Sequence, residues 1–266
     1  MADGRSVTLY CFAHAGAGVS SFHRWPGAAG SGVEIVPLTL PGREGRWREE
    51  RITGRAELVA EFLDILGRNG NDRGPFALYG HSLGGLVAYT LARTLADKGL
   101  EQPAFVALGA TPPPDEPPAL LDAADAPAGE LLRLLGTLGP LPSASVTAPG
   151  GVWNRTVLPV LRDDLRLAAA LREAAVDPAT GGPLDVPLLA LGGTADPAVR
   201  PGTLAGWHRW TTGPLTVRTV AGDHFFVRGP QAPRILGRAC RVVRRLLPEA
   251  PTPAPTSVHT TVRNTR

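Results

Sequence analysis

The chain has 266 residues, 43% of them hydrophobic, which is enough to bury the core of one large α/β domain or two small ones. A net charge of +3, without any block of five or six basic residues, argues against nucleic-acid binding, and no apolar stretch reaches the ~18 residues of a membrane span. The N-terminus has neither a basic start nor a long apolar core, so we expect no secretory signal and a cytoplasmic protein.

Short apolar runs alternate with amphipathic segments along most of the chain. The runs predict strands at residues 6–12, 33–40, 75–80, 104–110, 186–193 and 215–222. Apolar residues at helical spacing predict helices at 56–67, 83–99 and 232–247. Because near-continuous apolar strands that alternate with helices are typical of parallel sheets, we predict an α/β fold with a mostly parallel central sheet and helices on both faces.

Residues 112–180 interrupt this alternation. A proline-rich segment leaves the sheet, and helical patterns follow at 129–139 and 152–175. We interpret an all-helical insertion between two strands as a lid; the alternative is that it only adds packing bulk. Residues 249–266 are rich in Pro and Thr without a hydrophobic pattern, so we predict one domain over residues 1–248 followed by a disordered tail.

The segment Gly80-His81-Ser82-Leu83-Gly84 fits the pattern G-x-S-x-G between a predicted strand and a predicted helix. In a strand-to-helix turn this sharp, side chains on either side of the serine would collide, which explains the two glycines. Such a turn exposes the Ser82 hydroxyl above the sheet and directs the Leu83 N–H toward a nearby oxyanion. The pattern therefore predicts a serine nucleophile, with a purely structural turn serine as the alternative.

A serine hydroxyl needs a base, and the base needs a carboxylate partner, before the serine attacks a carbonyl carbon. Among the six histidines, His224 stands just beyond the last predicted strand, where a doubly wound hydrolase places its base. Asp196 follows the preceding strand, so the chain order Ser82, Asp196, His224 is the order expected for this fold class. Asp115, after the strand that follows the serine's helix, is the competing candidate for the acid.

The loop after the first predicted strand is expected to supply a second oxyanion donor. This loop, FAHAGAG at 12–18, consists mostly of small residues, which let the backbone approach a substrate oxygen closely. We predict the Ala15 N–H as the donor, with Gly16 as a near alternative, alongside the Leu83 N–H. His14 is interpreted as a residue that braces the loop without a catalytic role. No metal site and no cofactor are predicted.

Several short blocks of the sequence, taken together, resemble a known family. The blocks are CFAHAGAG at 11–18, LPGREGRWREE at 40–50, GHSLGG at 80–85, LPVLRDDLRL at 158–167, LGGTADP at 191–197 and GDHFF at 222–226. From about residue 7 to 248, the chain resembles the type II thioesterases that accompany polyketide synthases and nonribosomal peptide synthetases, within the α/β-hydrolase superfamily. Ala13 and Ala17 depart from that family's Phe-Pro-His-Ala-Gly-Gly loop.

The resemblance implies an editing hydrolase that releases acyl groups held as thioesters on the phosphopantetheine arm of acyl or peptidyl carrier proteins. It implies that Ser82 attacks the thioester carbonyl, that His224 accepts the proton, and that the Ala15 and Leu83 N–H groups hold the oxyanion. Carrier proteins are generally acidic, so an arginine-bearing rim would help them dock. We expect a monomer that binds neither nucleic acid nor membrane. The lid is expected to shape an apolar pocket, for which the candidate lining residues are Leu131, Leu135, Val157 and Leu161.

Three other functions use the same sequence features. An acyltransferase of the malonyl-transferring kind also carries Gly-His-Ser-x-Gly, but it lacks an acid at the place of Asp196. A general carboxylester hydrolase would use the same residues without a carrier partner. A hydrolase fold without catalysis, which only binds, would not need Ser82 at all, and the complete set of Ser82, Asp196 and His224 argues against it.

Overall fold

Six parallel strands form the central sheet within the residues that the computed structural model describes, which are 6–67, 74–116, 123–140, 148 and 150–246. The strands are β1 (Val7–Phe12), β2 (Val33–Pro37), β3 (Phe76–His81), β4 (Val106–Gly109), β5 (Leu188–Gly193) and β6 (Leu215–Val220). They lie in the order β2-β1-β3-β4-β5-β6, and every neighbouring pair is parallel. The predicted α/β fold is confirmed.

The second strand ends earlier than its apolar run. The run extends to residue 40, whereas β2 ends at Pro37, whose nitrogen faces the open edge of the sheet. One further backbone bond, from the Leu38 N–H to the Cys11 carbonyl at 2.9 Å, continues the pairing before the chain leaves the sheet.

Helices cover both faces of the sheet. Alternate strand residues point to opposite faces, and the apolar side chains on each face are buried by helices. The helices are α1 (Trp25–Ala29), α2 (Arg55–Gly67), α3 (Leu83–Asp97), α4 (Ala128–Leu138), α5 (Leu158–Val176) and α6 (Gln231–Leu246). Tyr10 and Phe12 of β1 join one apolar core with α2, α3 and α5. Leu9 and Cys11 join a second core with α1 and α6. None of the described helices is both long and apolar enough to cross a membrane.

The chain between β4 and β5 contains α4 and α5, as the predicted helical insertion requires. A π-helical turn, Trp153–Val157, leads directly into α5. These elements have an apolar cluster of their own, which includes Leu131, Trp153 and Leu165. Residues 117–122, 141–147 and 149 of the insertion, and the predicted tail at 249–266, lie outside the described residues.

Candidate active site

Ser82 lies at the turn between β3 and α3 in a backbone conformation that L-residues rarely adopt. Its φ is 55° and its ψ is −116°. The backbone of a non-glycine residue is strained in this region, and such strain persists only where the surrounding structure holds the residue in place. The Ser82 N–H donates to the Gly109 carbonyl at 2.7 Å, which fixes the turn to the end of β4. The predicted sharp turn is therefore present.

The glycines around Ser82 are required by close backbone contacts. A Cβ atom on Gly80 would overlap the Gly84 carbonyl, and one on Gly84 would overlap the Phe12 carbonyl of β1. A Cβ on Gly85 would collide with the Thr111 side chain. Since backbone atoms cannot move aside as a flexible side chain can, only glycine fits at positions 80 and 84.

The structure brings His224 and Asp196 together. The Nδ1 atom of His224 lies 2.9 Å from Oδ2 of Asp196, and both residues are buried. The other carboxylate oxygen of Asp196 accepts from the N–H groups of Ala198 at 2.9 Å and Val199 at 3.2 Å. These bonds fix the carboxylate, so His224 carries its proton on Nδ1 and keeps Nε2 available as a proton acceptor.

Asp115, the competing acid, lies elsewhere. Its carboxylate pairs with the Arg209 guanidinium and accepts from the Trp210 indole N–H at 3.1 Å. It lines a second cavity, of about 310 Å³, whereas Ser82 and His224 line the cavity described next. The pairing with Arg209 and Trp210 also outweighs the effect of partial burial, so the pKa of Asp115 is lowered.

Ser82 and His224 line one cavity of about 320 Å³. The insertion supplies much of its apolar wall, including Leu135, Val157, Leu161 and Leu165. Of the four predicted lining residues, Leu131 does not line the cavity; it is fully buried in the apolar cluster of the insertion. No group of three or more His, Cys, Asp or Glu side chains within the described ranges is arranged to hold a metal ion.

The loop after β1 lies at the same cavity. Ala15 and Leu83 both line it, and their N–H groups have no hydrogen-bond acceptor among the described residues. The N–H of Gly16, the alternative donor, is already bound to the Asp164 carboxylate at 2.7 Å. His14 donates from Nδ1 to the Ala15 carbonyl at 3.0 Å. Within this loop, the Ala15 N–H rather than the Gly16 N–H is therefore available to bind an oxyanion.

His81 joins the serine turn to the loop that carries His224. Its Nε2 atom lies 2.7 Å from the His224 carbonyl oxygen, which can only accept, so His81 is the donor. The Tyr79 hydroxyl then donates to Nδ1 of His81 at 2.9 Å. This fully buried imidazole thus fixes the backbone of His224 relative to Ser82. The sequence contains no signal for the contact, because any residue at position 224 presents the same carbonyl group.

Two histidines beside the cavity are held in the neutral form. Desolvation lowers the pKa of His14 to about 4, and together with the nearby His224 it lowers the pKa of His81 well below its usual value. Between about pH 6.5 and 4, the unfolded chain binds protons at these two positions, whereas the folded protein keeps both imidazoles neutral. We therefore expect the free energy of unfolding to fall as the pH decreases from about 6.5 toward 4, measured by urea denaturation across this range.

The substitution His14→Gln tests this acid sensitivity. Glutamine does not titrate, so the variant should lose less stability than the parent protein over the same pH interval. His208, which is exposed, provides the matched control substitution. A His14→Gln variant with the same pH dependence as the parent would show that His14 is not held neutral by the fold.

Comparisons with known proteins identify the family. A family model described as a thioesterase domain matches residues 7–241. Thioesterase PikA5 of Streptomyces venezuelae is 31% identical over 229 residues, which span 85% of this chain and 77% of the relative. RedJ, the thioesterase from the prodiginine biosynthetic pathway in Streptomyces coelicolor, is 32% identical with a TM-score of 0.72, over 88% of this chain and 85% of that chain. The type II thioesterase BorB from the borrelidin biosynthetic cluster is 27% identical with a TM-score of 0.69, over 89% of this chain and 92% of that chain.

The family match contains every block that carries the predicted resemblance, from CFAHAGAG at residue 11 to GDHFF at residue 226. The resemblance to type II thioesterases of polyketide and nonribosomal peptide pathways is therefore confirmed. The chain belongs to the thioesterase domain family, and it is a thioester hydrolase of the serine-hydrolase class with the α/β-hydrolase fold.

Proposed function

We propose that this enzyme releases acyl groups from the phosphopantetheine arm of acyl or peptidyl carrier proteins, and so edits stalled or misprimed chains during polyketide or nonribosomal peptide synthesis. The observation that carries the proposal is one cavity that combines Ser82, a His224–Asp196 pair and an apolar wall. The biosynthetic pathways of RedJ and BorB support the choice of substrate. We further propose that the enzyme acts as a monomer in the cytoplasm.

In the proposed reaction, Ser82 is the nucleophile and His224 the general base, oriented by Asp196. The Ser82 oxygen bonds to the thioester carbon while Nε2 of His224 takes the hydroxyl proton. The Ala15 and Leu83 N–H groups stabilise the negative charge that develops on the carbonyl oxygen. The C–S bond then breaks. The pantetheine sulfur takes the proton from His224 and leaves as the thiol.

Water completes the cycle. His224 takes a proton from a water molecule that attacks the acyl-serine ester, and the tetrahedral intermediate again lies at the same two N–H groups. Collapse of this intermediate returns the proton to the Ser82 oxygen and releases the free acid. In this proposal α4 and α5 form a lid, and the acyl chain lies against Leu135, Val157 and Leu161.

The test is to incubate the protein with several acylated carrier proteins and identify the products by mass spectrometry. We expect free acid and the free-thiol carrier, with a higher kcat/KM for carrier-bound acyl groups than for a simple ester of the same acid. Formation of a new thioester on a second carrier would instead indicate an acyltransferase. Equal kcat/KM values for the carrier-bound group and the ester would indicate a general carboxylester hydrolase.

A further inference from the structure

A buried ion pair connects the segment after β2 to helix α5. Nη2 of Arg43 lies 2.5 Å from Oδ1 of Asp164, and Nη1 lies 2.7 Å from Oδ2, so the contact is bidentate. The exposed fractions of the two side chains are 8% and 1%. Burying two charges is costly, and apolar residues of similar volume often replace such a pair without loss of stability. Fold stability alone therefore does not account for this pair.

The two charged groups also hold the loop after β1. Oδ2 of Asp164 accepts from the Gly16 N–H at 2.7 Å, and Nη1 of Arg43 donates to the Ala17 carbonyl at 3.1 Å. The loop is a turn closed by a bond from the Ala17 N–H to the His14 carbonyl at 3.1 Å. Gly16 is its third residue and has a φ of 76°, the positive value that a type II turn requires there.

The peptide group between Ala15 and Gly16 is therefore held on both sides. His14 donates from Nδ1 to the Ala15 carbonyl oxygen, and the Asp164 carboxylate accepts from the Gly16 N–H. In a type I turn this central peptide would be reversed, and the Gly16 N–H would point away from Asp164. The carboxylate thus favours the type II conformation, in which the Gly16 N–H is bound to Asp164, and it anchors the loop on which the neighbouring Ala15 N–H, part of the preceding peptide, has no acceptor among the described residues.

We propose that Asp164 and Arg43 are positioning residues of the oxyanion hole, which set the turn at residues 14–17 so that Ala15 presents its N–H to the cavity. The inference rests on the proposed function, because it takes Ala15 as an oxyanion donor. Asp164 lies on α5, as do the cavity residues Leu161 and Leu165, so the same helix fixes both the acyl-binding wall and the oxyanion turn.

The test compares Asp164→Asn and the double variant Arg43→Met, Asp164→Leu with the parent enzyme. The double variant removes both charges together, so it keeps an apolar contact but offers Gly16 no acceptor. We expect kcat to fall about 100-fold in either variant and KM to change less than about threefold, since the loss concerns a transition-state contact. The matched control is Asp163→Asn, which disrupts the more exposed pair between Asp163 and Arg51 on the same two segments and should leave kcat unchanged.

Binding of two inhibitors separates positioning from a general change of cavity shape. An acyl trifluoromethyl ketone forms a tetrahedral adduct with a serine, whereas an acyl thioether resembles only the ground state. We expect the affinity for the ketone to fall by the same factor as kcat, and the affinity for the thioether to stay within about threefold of the parent value.

Melting temperatures are measured first, and either variant that folds decides the matter. The proposal is overturned if a folded variant keeps kcat within about threefold of the parent, or if the two inhibitors lose affinity equally. Failure of the proposed function gives a different result, because the parent enzyme would then release no acid from acylated carriers, or would still release it after Ser82→Ala.

Discussion

Replacing Ser82 by alanine is expected to lower kcat/KM for thioester hydrolysis by at least about 10⁴-fold, because no other group can form the acyl intermediate. Alanine fits the turn as well as serine does, so the melting temperature should stay close to that of the parent. The measurement is release of free acid from an acylated carrier protein, together with a thermal melt. The expected result is therefore a folded protein that has lost hydrolysis.

The exposed Ser20 supplies the control for this experiment. Ser20→Ala removes a hydroxyl outside the cavity and should leave kcat/KM unchanged. If Ser82→Ala still released acid at the parental rate, Ser82 would not be the nucleophile. A fold that only binds would give a different result, because neither the parent nor Ser82→Ala would then release acid.

Asp196→Asn is expected to lower kcat by about 10³- to 10⁴-fold, the second largest effect. The amide can present an N–H to Nδ1 of His224, which favours the wrong tautomer and removes the charge that stabilises the imidazolium. Rates on an acylated carrier protein, measured across a range of pH, provide the test.

The contacts of Asp115 with Arg209 and Trp210 lower the pKa of its carboxyl group, and none of these three residues lines the cavity of Ser82.

Asp115→Asn is therefore the matched control for Asp196→Asn. It changes the same chemical group at the other candidate position, and we expect kcat within about threefold of the parent value. The opposite result, with Asp196→Asn active and Asp115→Asn inactive, would assign the acid to Asp115. Such a result would require Asp115 to leave Arg209 during the reaction, a movement that spectroscopic probes on Trp210 could detect.

The sheet and the serine turn could be predicted from sequence because their signals are local. Each strand is a short apolar run, and the turn is specified by glycines at positions 80 and 84, where a side chain would overlap backbone atoms. The predicted boundaries are less accurate, since an apolar run can continue after the chain leaves the sheet: β2 ends at Pro37, three residues before its apolar run ends.

The assignments that depend on long-range contacts are less well determined by sequence. Chain order favours Asp196, but Asp115 also follows a strand, and the folded chain shows that Asp115 faces Arg209 while Asp196 faces His224. Arg43 and Asp164 are 121 residues apart, and neither position has a local pattern that identifies its partner. A bond to a backbone carbonyl, such as that from His81 to residue 224, is independent of the residue that supplies the carbonyl.

The proposed reacting groups and the wall proposed to contact the acyl chain come from different stretches of polypeptide. Ser82, Asp196 and His224 follow β3, β5 and β6, whereas the apolar wall comes from helices inserted between β4 and β5. Selectivity for chain length can therefore diverge during evolution while the chemistry stays constant. Asp164 limits this independence, since it belongs to the inserted helices and is bound to Arg43 outside them. A chimaera that exchanges the insertion between homologous enzymes must therefore keep positions 43 and 164 matched.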